Sequence, residues 1–277
     1  MSSAALISPP PFDPHRFKST ADYYLQGRLP YPSKLVQRIA EHVGIGPDDR
    51  VLDLGCGPGF LAVAFRPLTG EVVGIDPEPE MLAAAERYAL QSGVDVTFQQ
   101  GSSYDLGAAL GKFRLVTMGR SFHWMDREAT LKSLDALIEP DGAVALFSDT
   151  YLDLPENAWR SRYTQFLDSF KKNDPARDVA RSSSPRKARH EPVLLKSSFS
   201  SLERISVVRR LETSVEQLEA RALSYSGTSP ERLGAQKEAF VDNLKNFLRQ
   251  ESPSGRFIEV IESEALLAYR PNESRYC

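Results

Sequence analysis

Apolar residues in the first half of the chain come in short unbroken runs, each followed by a segment of helical period. The runs predict strands over residues 51–54, 72–75, 94–99, 113–118 and 143–148. Between them, helices are expected over 33–42, with Leu35, Val36, Ile39 and Ala40 on one face, and over 60–68. Another begins near Pro79, carries Met81, Leu82, Ala85 and Tyr88 at helical spacing, and stops near Gly93. A fourth covers about 127–137, with Asp126 as its N-cap, and Pro140-Asp141-Gly142 forms the turn after it. Strands alternating with helices imply an α/β fold: a doubly wound, mostly parallel, Rossmann-like sheet with right-handed crossovers. Ligands of such sheets bind at the carboxyl ends of the strands.

The rhythm changes after residue 150. Residues 151–170 read as one helix, with Trp159, Tyr163, Phe166, Leu167 and Phe170 on a face. A sixth strand is expected over 202–208, helices near 215–224 and 231–249, and a final strand or two over 257–269. The organisation expected is therefore a flexible arm over 1–19, a cofactor-binding core over 20–150, and outer strands with a helical lid over 151–277. Within the last part, 171–190 is polar and charged and reads as a mobile loop, or as a loop that orders over substrate.

Val51-Leu52-Asp53-Leu54-Gly55-Cys56-Gly57-Pro58-Gly59-Phe60 changes the picture from fold to chemistry. An apolar run ends on an acid, and three glycines alternate over five positions. Glycines permit positive φ and let a ligand approach the main chain. The N–H groups opening the next helix would attract an anionic ligand group. A dinucleotide fingerprint would need a small residue where Phe60 stands, which argues against a dehydrogenase. The second strand, Glu71-Val72-Val73-Gly74-Ile75-Asp76, also closes on an acid, which can accept from both hydroxyls of a ribose.

The formal net charge of −3 over 277 residues shows no basic bias, so nucleic acid is not expected as a partner. Two cysteines make no disulfide framework, and four histidines without ligand spacing give no metal site. There is no signal-like N-terminus and no apolar run long enough for a bilayer, so a cytoplasmic location is expected.

The spacing D-x-G-x-G-x-G from Asp53 to Gly59, with Asp76 on the next strand, resembles class I S-adenosylmethionine-dependent methyltransferases. The likeness runs from about Thr20 to Ser148. It is to the small-molecule branch, the methyltransferase type 11 kind, in whose broad group the trans-aconitate methyltransferase-like proteins fall. The resemblance implies S-adenosyl-L-methionine as cofactor. Asp53, Gly55, Gly57 and Gly59 would hold its methionine portion and Asp76 its ribose, while Pro77 and Met81 would flank the adenine. Ser102, Ser103, Met118 and Arg120 complete the expected set. Ser102 departs from the family, which often has Asp directly after this Gly, and Arg114 departs too, as a surface change. The entry segment Tyr24, Arg28, Leu29, Pro30, Tyr31, Pro32 matches a Tyr…Arg-Pro-x-Tyr-Pro pattern, with Leu29 interposed. By analogy Tyr24 and Arg28 lie over the cofactor; otherwise the segment only closes the top of the sheet.

Methyl transfer needs position, desolvation and sometimes a base. Phe122-His123-Trp124, after strand four, matches an aromatic-His-Trp run in several such proteins. His123 is the candidate base, or it only packs the turn while Trp124 forms a pocket wall. Tyr31, Phe122, Trp124 and Tyr225 are the candidate acceptor-pocket residues. The function expected is methylation of a small molecule, at oxygen first, including carboxylate oxygen, with carbon or nitrogen second; a homodimer is compatible with it. The competing readings are an RNA or protein methyltransferase, drawing on the basic 171–189 stretch, and a non-catalytic nucleoside-binding regulator.

Overall fold

The computed structural model describes residues 20–170 and 189–272; the expected N-terminal arm, most of the 171–190 loop and Cys277 lie outside them. Seven strands form one sheet in the order β3-β2-β1-β4-β5-β7-β6. They are β1 (Arg50–Leu54), β2 (Glu71–Asp76), β3 (Thr97–Gln100), β4 (Phe113–Gly119), β5 (Ile138–Tyr151), β6 (Ser201–Ser214) and β7 (Arg256–Tyr269). The first five pair in parallel; β7 runs antiparallel between β5 and β6.

The apolar runs of β1, β2, β4 and β5 became strands because their residues are covered on both faces, whereas the strand expected over 94–99 is the shorter, largely exposed edge strand β3. On one face α2 (Ser33–Val43) and α3 (Phe60–Phe65) bury Leu35, Ile39, Leu61 and Phe65 against Leu115 and Phe147. On the other, α5 (Arg127–Asp135) packs Leu131 and Leu134 against Phe113, Val116 and Leu146. The helix α4 (Pro79–Gln91) crosses between β2 and β3. Asp126 caps α5, accepting from Ala129 N–H at 3.1 Å.

The second half departs from expectation in extent. β5 continues to Tyr151, so the helix expected from 151 is α6 (Trp159–Ser169), which starts eight residues later. β6 is twice the expected length and β7 is one strand. The strand expected over 202–208 stops short of Arg209, Arg210 and Glu212. They belong to an edge strand, where charge on the exposed positions is the normal defence against pairing with another chain. The short α7 (Glu191–Leu194) precedes β6. Above the sheet, α8 (Val215–Leu223), α9 (Pro230–Leu233) and α10 (Lys237–Glu251) pack with α6 around Trp159, Tyr163, Leu218, Phe240 and Leu244. Trp159, Phe166 and Phe170 therefore serve this packing. Arg114 is not a surface change: its guanidinium donates to Val43 O at 2.8 Å, holding the end of α2, and pairs with Asp141.

Candidate cofactor and acceptor site

The three turn glycines all take positive φ, at 68°, 53° and 82°. Their surroundings differ. A Cβ on Gly55 would lie 2.6 Å from Ser121 Cβ, and one on Gly59 3.2 Å from Ala85 and Phe98. A Cβ on Gly57 would meet nothing within 4 Å. Gly57 is thus the open side of the turn, the face a ligand can approach.

Two carboxylates hold this turn. Asp53 is 1% exposed; its Oδ2 accepts from Ala62 N–H at 3.1 Å and its Oδ1 from Thr117 Oγ1 at 3.0 Å. It satisfies the start of α3 from beneath, so the anionic ligand imagined at that N–H has a side chain in its place. Asp76 accepts from Gly57 N–H at 2.8 Å through one oxygen and from Glu78 N–H at 3.0 Å through the other. A carboxylate has about four acceptor positions, so Asp76 keeps capacity for two hydroxyl donors. Burial pushes Asp76 up to about 6 against those two N–H bonds. Burial likewise pushes Asp53 up to about 7, opposed by Thr117 and Ala62.

The entry segment lies across the turn. Tyr24, on α1 (Ala21–Gly27), faces Phe60 with ring centroids 6.1 Å apart. Met81 is buried with Ala21 and Ala84 beneath Tyr24 and Leu25. The Arg28 guanidinium sits 5.1 Å from the Tyr24 ring and 4.3 Å from the Tyr225 ring, and donates to Ser224 Oγ at 2.7 Å. Tyr24, Arg28, Met81 and Tyr225, scattered over 200 residues of sequence, thus share one wall.

That wall is fixed by a buried ionic network. Arg221 on α8 is 2% exposed; its Nε donates to Gly27 O at 2.8 Å and its Nη1 to Glu259 at 2.6 Å. Glu259, fully buried, also accepts from Arg160 at 2.6 Å and Thr213 at 2.5 Å. Gly27 is required because a Cβ there would lie 2.2 Å from Arg221 N.

Beyond β4 the chain turns sharply. Arg120 has φ 58°, the one non-glycine residue with positive φ among those described. Its side chain leaves towards β5, pairing with Asp149 at 3.0 Å under the Tyr31 ring, whose centroid is 4.9 Å away. Ser121 Oγ donates to Leu54 O at 2.8 Å, tying this corner to β1. A single 3-10 turn, Phe122–Trp124, follows. His123 and Trp124 are half-buried with ring centroids 5.0 Å apart.

Two expected side chains do not reach this cleft. Met118 and Phe122 are 1% and 2% exposed in the core under α5, and Phe122 packs on His190. An alternating strand end and an eclipsed 3-10 turn put neighbours on opposite sides, which a linear motif hides. Ser102 is turned inward too: its N–H and Oγ both donate to Asp105 at 2.7 Å. Asp105 was overlooked, although Asp three residues past a glycine-serine corner is a recognisable turn former. Pro77 and Ser103 lie half-buried at the same strand ends. Asp149, Arg209 and Ser263, also missed, carry no local signal because β7 alone brings them together.

The comparisons with known proteins fall on this region. A family described as a methyltransferase domain matches residues 51–142. Over that stretch the chain is similar to class I, S-adenosylmethionine-dependent methyltransferases. A ubiquinone biosynthesis O-methyltransferase of Xanthomonas axonopodis pv. citri is 37% identical over 99 residues, 35% of this chain and 41% of that protein. A probable S-adenosylmethionine-dependent methyltransferase of Saccharomyces cerevisiae is 28% identical over 141 residues, 48% of each chain. This chain's matches thus span about two fifths to one half of those relatives' lengths. The fold extends further: a methyltransferase of Geobacter sulfurreducens, solved with S-adenosyl-L-homocysteine, covers 94% of this chain at TM-score 0.54 and 16% identity. Among the described residues no helix is long and apolar enough to cross a membrane.

Proposed function

We propose that this protein transfers a methyl group from S-adenosylmethionine to an oxygen atom of a small-molecule acceptor. The observation that carries the reading is the pairing of Asp76, which retains acceptor capacity, with the unobstructed face of Gly57. In this reading Asp76 receives the ribose hydroxyls, Met81 and Pro77 border the base, and Tyr24 and Arg28 cover the methionine end. The cofactor supplies an electrophilic methyl group on a positively charged sulfur. The protein's part is placement and exclusion of water: Tyr24, Phe60 and Trp124 are apolar surfaces that keep the reacting atoms dry and close. His123, at the rim, takes the proton from a hydroxyl acceptor; a carboxylate acceptor is already ionised and needs no base.

Calorimetric titration with S-adenosylmethionine, S-adenosylhomocysteine and NADH tests the cofactor assignment. Micromolar binding of the sulfur nucleosides alone, lost in Asp76→Ala, is expected. Equal affinity in Asp76→Ala refutes the site. Transfer of labelled methyl to hydroxyl acceptors should fall at least tenfold in His123→Ala with cofactor affinity kept. Unchanged turnover removes the base.

A further inference from the structure

Main-chain pairing between β1 and β4 ends at Asp53 and Thr117. Beyond it β4 stays with β5 through Gly119, and Arg120 N–H still donates to Phe147 O at 3.1 Å. The positive φ of Arg120 then turns the chain back towards β1, a conformation that a residue with a Cβ holds only where its surroundings demand it. What the turn delivers is Ser121, 8% exposed, at the mouth of the glycine turn. Its Cβ and Oγ lie 2.6 and 2.9 Å from where a Cβ of Gly55 would stand, and Met125 Cε lies 3.3 Å from the same point.

Ser121 joins two turns through two different atoms. Its hydroxyl donates to Leu54 O at 2.8 Å. The peptide unit of that carbonyl is held on its other side as well, because Gly55 N–H donates to Ile75 O at 2.7 Å. The peptide that opens the glycine turn is thus gripped between Ser121 and β2, one residue before Asp76. The main-chain carbonyl of Ser121 accepts from Trp124 N–H at 2.9 Å, and this bond closes the 3-10 turn that carries His123 and Trp124. Apolar packing of Phe122 holds the same turn to the core, but such packing has no direction, whereas a hydrogen bond fixes both distance and angle.

We propose that Ser121 is a positioning residue that sets the His123–Trp124 turn against the cofactor turn and passes the state of one to the other. The proposal rests on the methyltransferase reading above and deepens it. Ser121 touches neither reactant in this account, since Leu54 engages its hydroxyl. In a displacement that depends on placement, a shift of about 1 Å costs about a hundredfold in rate, so a hydrogen bond remote from the reacting atoms can govern transfer. Removing the hydroxyl leaves Leu54 O without this donor and frees the acceptor-side turn to drift, while Asp76 and the open face of Gly57 stay as they are.

Trp124 and Trp159 are the chain's two tryptophans, so fluorine spectra of protein labelled with 5-fluorotryptophan carry one signal from this turn and one from the packing around α6. Trp124→Phe assigns them. Saturation with S-adenosylhomocysteine should move the Trp124 signal and leave that of Trp159 in place. In Ser121→Ala, calorimetry should find the affinity for S-adenosylhomocysteine kept, and an unchanged Trp159 signal certifies the fold. The Trp124 signal should broaden and lose most of its response to the ligand. If Ser121→Ala loses the Trp159 signal, Ser121→Cys, close in shape and only a weak donor, takes its place with the same expectations. A Trp124 signal that does not respond in the wild type, or that responds equally in both proteins, overturns the proposal. Affinity for S-adenosylhomocysteine reduced tenfold or more in the variant overturns it too, since Ser121 would then serve the cofactor turn alone. Failure of the wild type to bind S-adenosylhomocysteine would instead strike the underlying reading.

Discussion

Gly27→Ala is the sharpest test of how the entry segment is held. The added carbon would lie 2.2 Å from Arg221 N and 2.4 Å from Ala220 C, both backbone atoms that no rotamer change can move aside. Ordinary contact begins near 3.4 Å, so α1 and α8 must part by about 1 Å. The Arg221 Nε bond to Gly27 O, now 2.8 Å, then stretches towards 4 Å and ceases to be a hydrogen bond. A buried bond from a charged donor contributes about 1.5–3 kcal/mol. Its loss falls on docking of α1 rather than on the sheet, whose strands do not use it. If α1 must be docked to cover the cofactor, weaker docking raises the apparent Kd in proportion to the lost closed population, about tenfold to a hundredfold. Titration with S-adenosylhomocysteine and amide exchange of residues 21–28 read the two consequences. Faster exchange there, with slow exchange kept in β1 and β4, is expected. Wild-type affinity together with wild-type exchange would refute the argument at its first step, and faster exchange with unchanged affinity would show that α1 does not cover the cofactor.

Three further outcomes follow from the same geometry. The folded Asp76 titrates near 6, above an ordinary carboxylate, so the free protein holds this proton more tightly than the unfolded chain does, and ionising it costs stability as pH rises from about 4 through 6. Ribose hydroxyls need the ionised form, so cofactor affinity should be flat above pH 6 and fall by up to tenfold per unit below it; Asp76→Asn should bind weakly with no such slope, and a wild-type affinity constant from pH 7 to 5 would remove the linkage. Glu259→Gln leaves Arg221 and Arg160 without their shared counter-charge and should cost about 3–5 kcal/mol, read as a lower urea midpoint; a loss under 1 kcal/mol would mean water or Thr213 compensates. Gly57→Ala meets no atom within 4 Å, so its stability cost is the backbone strain of φ 53° alone, about 1 kcal/mol, while a methyl on the ligand-facing side should cut cofactor affinity far more than that. Equal losses in both would mean that the cofactor does not approach this face.

Sequence and structure agree best where interactions are local. β1, its glycine turn and α3 occupy consecutive residues, and the apolar run, the acid and the positive-φ glycines each constrain the same short piece. The role of Asp53 was less legible. From sequence it looked like a ligand contact, but the same strand-end position let it reach Ala62 N–H and Thr117 beneath the turn. Ser102 misled for a similar reason, since the acid that binds it sits three residues on, in the loop rather than at the strand end. β6 was short in sequence because it is the sheet's edge, where charged positions break the apolar run; β7 lies inside the sheet and is mostly buried, but Glu259, Glu262, Ser263 and Glu264 interrupt its apolar run.

The family match covers residues 51–142 and therefore ends before Asp149, Arg209, Tyr225 and Glu259. Those residues come from β5, β6, β7 and the turn after α8, joined only by long-range pairing such as Asp149 with Ser263 and Arg209 with Ile261. The third of the chain that matches the methyltransferase domain carries Asp53, the glycine turn and Asp76. A match confined to that stretch bears on the methyl donor and says little about what is methylated.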